Sequence, residues 1–450
     1  MISRVLLLLL LVFQLTSQTL AITKHSLQHD DPFSLLPDAL LAHRNPQFEG
    51  DSVEILKQCR HVTLNENGSK VVRFHRIYRL ISRAALDSWG EVYATYDPWY
   101  QDKPEIRVRI ITPEGDEVWL DPGNLVEEAT SSHTTHYQTT KQIRGPLPGV
   151  ARGSVVEELI TTIDRQSFYE AGVAGKSPFV AYQPTEVLCD SYDVPETDHV
   201  NLSIEGASHY PVPDYQRERY GDRIRHSLTA FDVLPQHFPL SGETVNYFPV
   251  VPRVPVVAYS TGGSWQAIAN SYLQATQGQS QSLKTISIDS SEPIDIIRRA
   301  YDFVRNRVRY TAYDLRRQPL IPDAAPDVLE RAFGDCKDKS FLLINILSMH
   351  GVEAKLALLS TRGNLEPSGE HPGMGIFNHA IVYIPNHDLW LDPTSIHADM
   401  THLPLVNQHR WALIVDKDTQ SLVRTPTLRS EWTNDIELSF RAFDFASLKW

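Results

Sequence analysis

The sequence predicts an α+β protein in two parts, a β-sandwich-like N-terminal domain followed by an α+β core. Three observations carry that prediction. Short alternating strands with turn residues between them fill residues 51–235, with no long helix among them. A Pro-rich stretch, 236–260, then acts as a semi-rigid connector. Beyond it, helical stripes and one dense apolar run alternate with strands over 261–425. A chain of 450 residues has room for two such domains. Its 42% apolar and 22% charged residues are ordinary globular values. The net charge of −13 argues against general nucleic-acid binding and gives no electrostatic attraction to an anionic membrane.

The first 21 residues read as a signal peptide. Arg4 supplies a positive charge, Val5 to Phe13 are unbroken apolar, and Thr19-Leu20-Ala21 offers small residues for cleavage. The apolar run is too short to span a bilayer comfortably. The mature chain is therefore expected in the periplasm or outside the cell, without stable membrane insertion; a retained N-terminal anchor is the alternative. Residues 22–50 are polar and mixed, a loose lead-in.

In the β domain, Ile106, Val108 and Ile110 alternate with Arg107 and Arg109, the signature of a half-buried strand. Pro113-Glu114-Gly115-Asp116 turns it back into Glu117 to Leu120. Similar signals lie at Val71 to Ile81, Glu91 to Tyr96, Ser154 to Ile163, Val200 to Ile204 and Ser227 to Val233. Cys59 and Cys189 both belong to this half. They can form a disulfide or remain buried thiols, and the sequence leaves both open. No cysteine has a Cys or His neighbour at zinc-ligand spacing, so neither a metal nor a cofactor is expected.

After the connector, Ser264 caps a helix with Trp265, Ile268, Ala269, Tyr272 and Leu273 on one face. Pro293 opens a second, with Ile294, Ile297, Tyr301, Val304 and Val308 in a stripe. Arg309 to Tyr313 is strand-like. Gly334-Asp335-Cys336-Lys337-Asp338-Lys339 then leads into Phe341, Leu342, Leu343, Ile344, Ile346, Leu347 and Met349, a buried helix of about four turns. Asp335 is a suitable N-cap, and Gly351 stands where a left-handed residue would end the helix.

Cys336 then falls in the first helical turn, where unpaired N–H groups and the helix dipole favour a thiolate. A lone cysteine before an apolar helix is ordinarily a small buried hydrophobe. Two downstream segments change that reading. Glu353 to Ser360 is a strand, Arg362 to Gly375 a loop able to cover or shape a site, and Asn378-His379-Ala380-Ile381-Val382 a second strand. Leu389-Trp390-Leu391-Asp392-Pro393-Thr394 follows. With Pro385 and Asn386 in a two-residue turn, His379 would stand directly opposite Asp392. Cys336, His379 and Asp392 thus supply a nucleophile, its base and the carboxylate that orients the base. Asp335, Lys337 and Asp338 are expected to hold the helix start. The Cys336 N–H is the natural first oxyanion donor, and Tyr310, Tyr313 or Gln318 are candidates for the second. His371, His387 and His397 are expected at the surface, and Tyr383 and Trp390 in the core. Trp411 to Val415 is a further strand, and 426–450 a tail or the start of another β region.

The motifs Gly334-Asp335-Cys336-Lys337-Asp338-Lys339, Asn378-His379 and Leu391-Asp392-Pro393-Thr394 resemble the transglutaminase-like superfamily of papain-related cysteine enzymes. The bacterial exported branch is the most similar, in which such a core follows an N-terminal β domain of uncharacterised function, the DUF3857 type. Leu147-Pro148-Gly149-Val150 and Gly153-Ser154-Val155-Val156-Glu157 are similar to a stretch of that domain. The resemblance covers nearly all of the mature chain. It implies acyl transfer at amide bonds of a peptide or protein substrate, with Cys336 as nucleophile, His379 as base and Asp392 as orienting group. Water as acceptor gives a peptidase or amidase, and an amine gives a transglutaminase; hydrolysis is slightly favoured. The rival expectation is a catalytically idle core serving as a binding module for peptide or cell-surface polymer. The oligomeric state is left open.

Overall fold

The computed structural model describes residues 22–29, 31–44, 52–130, 136–137, 140–198, 200–206, 213–235, 254–279, 283, 286–313, 320–362, 366–396, 398 and 400–427. Within these residues the chain is a strand-rich α+β protein with several sheets. The largest has eight strands, in the spatial order Asp214–Tyr220, Arg223–Val233, Thr185–Pro195, Val53–Leu64, Lys70–Leu80, Val155–Ile163, Glu105–Ile111 and Glu117–Trp119. Thr185–Pro195 and Val53–Leu64 run parallel, and the other neighbours are antiparallel. Cys59 and Cys189 face each other across the parallel pair and form a disulfide, with 4.5 Å between their Cα atoms.

Alternation gives this sheet two buried faces. One face carries Tyr78, Val108 and Val156 at one end, under the three-stranded sheet Glu91–Tyr96, Lys141–Pro146 and Val126–Ala129. At its other end Leu188, Tyr192 and Leu228 pack beneath a second three-stranded sheet, Ala174–Pro178, Val256–Ser260 and Asn201–Glu205. Val256–Ser260, which the sequence places at the end of the connector, is therefore the central strand of that small sheet. The opposite face buries Leu56, Ile77, Val155 and Val187 against Leu27 and Leu40.

Those two leucines belong to short helices, Lys24–His29 and Pro37–Ala42. Residues 22–29 and 31–44 are thus not a loose lead-in. Arg79 Nη2 donates to the carbonyls of Leu40 and His43 at 2.6 and 2.8 Å, and the Phe33 N–H donates to Glu157 Oε1 at 2.6 Å. Buried charges on the sheet thereby receive backbone partners that no apolar pattern announces. Residues 1–21, read above as a signal peptide, and residues 428–450 lie outside the described residues.

The second half is built on a five-stranded antiparallel sheet in the order Leu389–Leu391, His379–Ile384, Lys355–Leu359, Trp411–Ile414 and Val423–Arg424. The helix Cys336–Met349 lies on one face, with Leu342, Leu343, Ile346 and Leu347 packed against Val382, Ile384 and Leu391. The helix Pro293–Arg307 completes that cluster through Ile296, Ile297, Ala300, Tyr301 and Val304, whereas Ile294, expected in its stripe, is exposed. The helix Trp265–Gln277, capped by Ser264 as predicted, covers Leu356, Leu358 and Leu413.

Backbone segments are pressed together at three glycines, and two of these approaches, at Gly172 and Gly373, join the two halves. A Cβ on Gly172 would lie 2.3 Å from the Gly262 Cα, one on Gly262 would lie 2.4 Å from the Pro372 carbonyl oxygen, and one on Gly373 would lie 2.4 Å from the Ala174 nitrogen. Only residues without a side chain allow this backbone approach. The Ala174 N–H donates to the Met374 carbonyl at 2.7 Å, so the N-terminal half grips the chain shortly before His379. No helix among the described residues is long and apolar enough to cross a membrane.

Candidate active site

Cys336 is the first residue of its helix and the chain's free cysteine, and it is half-buried. Asp335 caps the helix, accepting from the N–H groups of Lys337 and Asp338 at 3.1 and 3.2 Å. Asp338 Oδ2 accepts in turn from the Asp335 N–H at 3.3 Å, which completes a capping box. The same buried carboxylate accepts from the Asp323 N–H at 2.9 Å and Arg331 Nη2 at 2.7 Å. The approach to the cysteine is fixed as well. Phe333–Gly334 pairs in parallel with Arg309–Tyr310, and a Cβ on Gly334 would come within 2.7 Å of Asp338 Cβ. Asp335, Lys337 and Asp338 thus hold the helix start, as the sequence suggests.

One turn further on, Ser340 Oγ donates to the Ala380 carbonyl at 3.0 Å. This buried bond ties the cysteine helix to the strand that begins with His379. Asp392 lies just beyond the neighbouring strand, and His379 Nε2 is 3.0 Å from Asp392 Oδ2. That leaves Nδ1 as the ring nitrogen not engaged by Asp392, and Cys336 stands near enough to favour the charge of the imidazole. The three side chains converge.

The register differs from the expected one by two residues. Val382 pairs with Leu391 and Ile384 with Leu389, so His379 is not opposite Asp392. The connection is a 3-10 turn over Pro385–His387 followed by Asp388 in the left-handed region, longer than the predicted two-residue turn. A slip of two leaves both side chains on the same face, and the pair meets on the diagonal.

Asp392 is held from several sides. Its Oδ1 accepts from the Thr394 N–H at 2.8 Å and Thr394 Oγ1 at 2.6 Å, and its Oδ2 from Asn407 Nδ2 at 2.7 Å. Tyr301 donates to the Asp392 carbonyl at 2.9 Å. Burial works against its charge, but His379 and Thr394 outweigh burial and hold the carboxyl down at about 2. Burial likewise opposes an imidazolium at His379; Asp392 and Cys336 overcome it and raise the pKa to about 10. Lys339, in the same helical turn as the cysteine, is brought down to about 8 by burial although Asp392 favours its charge. Its ammonium donates to the Val308 carbonyl at 2.5 Å.

Nothing in the sequence singles out Asn407 or Ser340. Asn407 follows Asp392 by 15 residues in a stretch without periodicity, and Ser340 opens directly onto an apolar run. His371, expected at the surface, is buried at the seam between Ser203 Oγ at 3.1 Å and Ser368 Oγ at 2.8 Å. His387 is exposed, as expected. Tyr310 is exposed, while Gln318, His397 and the Tyr313 side chain lie outside what is described. Trp390 is buried and its ring lies 4.5 Å from that of Tyr383, which is half-buried. Among the described residues, no group of three His, Cys, Asp or Glu side chains could hold a metal ion. A cavity of about 940 Å³ opens at the seam, lined by Trp99, Phe168, Tyr169, Ser271 and Ile321 among others. It does not include the triad, but Phe168, Tyr169 and Ile321 pack in the apolar cluster that Cys336 joins.

Residues 66–236 match the family model DUF3857, described as a domain of unknown function with solved structure. A crystal structure of a Parabacteroides distasonis protein, called a "putative protease", superposes with a TM-score of 0.66 at 16% identity. The match covers 84% of this chain and 72% of that one, and at this identity it speaks for a shared fold. No curated protein matches the chain.

Proposed function

We propose that the chain is a cysteine-dependent acyl-transfer enzyme of the transglutaminase-like type, acting on amide bonds of peptides or proteins. The observation that carries this reading is the convergence of Cys336, His379 and Asp392, with the cysteine at a helix N-terminus. The sulfur attacks the amide carbonyl, and the oxyanion forms near the Cys336 N–H, a first-turn donor without an intrahelical acceptor. The His379 imidazolium gives its proton to the departing amine, leaving a thioester on the sulfur. Water then attacks the thioester while His379 takes a proton from it; the acid leaves and the thiolate–imidazolium pair is restored. Asp392 keeps the imidazole in one tautomer and stabilises its charged form. Thr394 and Asn407 are positioning residues for that carboxylate.

Hydrolysis is preferred over transfer to an amine because an exported chain meets water in excess, and the description of the Parabacteroides neighbour points the same way. In this reading residues 1–21 are removed on export, 51–235 form the DUF3857-type domain and 261–425 the catalytic core. The test is labelling with a peptidyl vinyl sulfone followed by peptide mapping. Cys336 should be modified, and His379→Ala should slow labelling about a hundredfold or more. Labelling no faster than that of a free thiol, and unchanged in His379→Ala, would leave the rival binding-module reading. A peptide-library digest with and without an added primary amine then separates hydrolysis from transfer.

A further inference from the structure

A second cavity, of about 180 Å³, lies between the two halves of the chain and is lined by none of the three triad residues. Its lining includes Lys70, Tyr100, Phe168, Lys176, Tyr259 and Arg362. We propose that this cavity is a binding site for a small oxyanion, a carboxylate or a phosphate, held by Lys70 and Arg362 with the hydroxyl of Tyr259.

The Lys70 ammonium sits deep at the seam but keeps accessible surface, because the cavity opens onto it. An ammonium has three protons to donate. Among the described residues Lys70 Nζ has a single hydrogen-bond partner, the Tyr259 hydroxyl, at a long 3.3 Å. The nearby carboxylate does not complete its set. Asp164 Oδ1 accepts from Gln101 Nε2 at 2.8 Å, and Oδ2 from the Lys70 backbone N–H at 3.1 Å. A half-buried cation so sparsely bonded is stabilised when an acceptor enters the cavity and joins it.

Lys176 plays a different part. Its ammonium is taken up by both oxygens of Glu205, at 2.8 and 3.0 Å, so it closes the wall without adding unbalanced charge. The Arg362 guanidinium, by contrast, has no hydrogen-bond or ion-pair partner among the described residues. Lys70 and Arg362 together therefore outweigh the one carboxylate, Asp164, that acts on Lys70. Aromatic rings of Phe168, Tyr100 and Tyr259 form much of the remaining wall, where a dielectric lower than that of water strengthens an ion contact.

The cavity has a built shape. Gly175 lies under the Tyr259 ring, and a Cβ there would come within 2.5 Å of the phenol carbon and oxygen. Only glycine lets the ring settle with its hydroxyl beside Lys70. The volume corresponds to about six waters, enough for acetate or phosphate with part of its hydration. Gly375 and Ile376 form another wall, just before the strand that carries His379. An anion here would bridge the N-terminal half to the chain that presents the histidine.

The test uses the full chain carrying Cys336→Ala, so that its result is separate from the fate of the proposed catalysis. Thermal unfolding is followed while sodium acetate or sodium phosphate replaces sodium chloride at constant ionic strength. At least one anion should raise Tm saturably, by about 3 °C at a hundredfold excess over Kd. The shift should vanish in Lys70→Met and require several-fold more anion in Arg362→Gln. A stronger response to acetate assigns the site to a substrate carboxylate, and a stronger response to phosphate to the free ion. Absence of any saturable rise, or an unchanged response in either folded variant, would overturn the proposal. If Lys70→Met does not fold, Arg362→Gln, at an exposed position, decides alone.

Discussion

His379 and Asp392 touch although they are two rungs out of register: Val382 pairs with Leu391, yet His379 Nε2 lies 3.0 Å from Asp392 Oδ2. The contact is diagonal and closes at the open end of the hairpin, where Asp392 has left the strand and is held by Thr394 and Asn407. Orientation of the imidazole therefore depends on the loop after the strand as much as on the sheet.

The alkaline limb of activity should follow His379. Asp392 and Cys336 outweigh burial and hold its pKa at about 10, so the imidazolium that the proposed mechanism needs persists through neutral pH. The limb of kcat/KM should lie near that value. Asp392→Asn should lower activity by about 10²- to 10⁴-fold and draw the limb toward the ~6.5 of an unperturbed imidazole. The same shift acts on stability. Because the folded pKa exceeds the unfolded one, the pair stabilises the fold fully below about pH 6.5 and loses that effect as pH rises through about 10. Asp392 has the opposite sign: its contribution is present above about pH 4 and is lost as pH falls through about 2. A limb unmoved by Asp392→Asn in a pH–rate profile would count against this coupling.

Asn407 should matter to rate as well as to stability. Its amide donates to a charged acceptor at 2.7 Å in a buried position, a bond worth about 1.5–3 kcal/mol. Asn407→Ala is expected to lower kcat/KM by about 10- to 100-fold and move the alkaline limb. A merely structural role would lower Tm and leave the pH profile where it was.

At the helix start, Asp338 satisfies the Asp323 and Asp335 N–H groups and Arg331 together. Asp338→Ala removes a fully buried partner from all three and should cost about 3–5 kcal/mol in chemical denaturation. Asp335→Ala removes a cap worth about 0.5–2 kcal/mol and a bond to Lys337 besides. A loss below about 0.5 kcal/mol in either variant, the size of an ordinary surface substitution, would contradict the capping box's role.

Reduction should separate the disulfide from the proposed nucleophile. The bridge Cys59–Cys189 closes a sequence separation of 130 residues, and its loss should lower stability by about 2–5 kcal/mol. Cys59→Ala with Cys189→Ala should lower Tm while leaving the labelling rate of Cys336 at room temperature unchanged, since neither cysteine belongs to the cluster around Cys336. Parallel loss of labelling in a still-folded variant would refute that independence.

Local signals are legible in the sequence. Asp335 before an apolar run and Gly351 after it bracket the cysteine helix, and Gly351 does adopt a φ of +75°. Ile106, Val108 and Ile110 alternate cleanly and form the expected strand. The long central strands Val53–Leu64 and Thr185–Pro195 escape such a reading because charged residues interrupt their pattern. Arg60 pairs with Asp190 and Asp193 with Arg225, partners that only the folded sheet brings together. The hairpin register departs from expectation because Asp388 takes a left-handed conformation that lengthens the turn, a choice that its residue type permits but does not impose. Asn407 carries no pattern, since a loop amide becomes meaningful only once Asp392 is placed beside it.

The most direct measurement is intact-protein mass spectrometry after rapid quenching with an activated acyl ester, followed by peptide mapping. A thioester adduct should form on Cys336, accumulate in His379→Ala on prolonged incubation because deacylation lacks its base, and be absent from Cys336→Ala. Ester turnover that continues undiminished in Cys336→Ala, with no acyl group ever found on that sulfur in the parent chain, would contradict it.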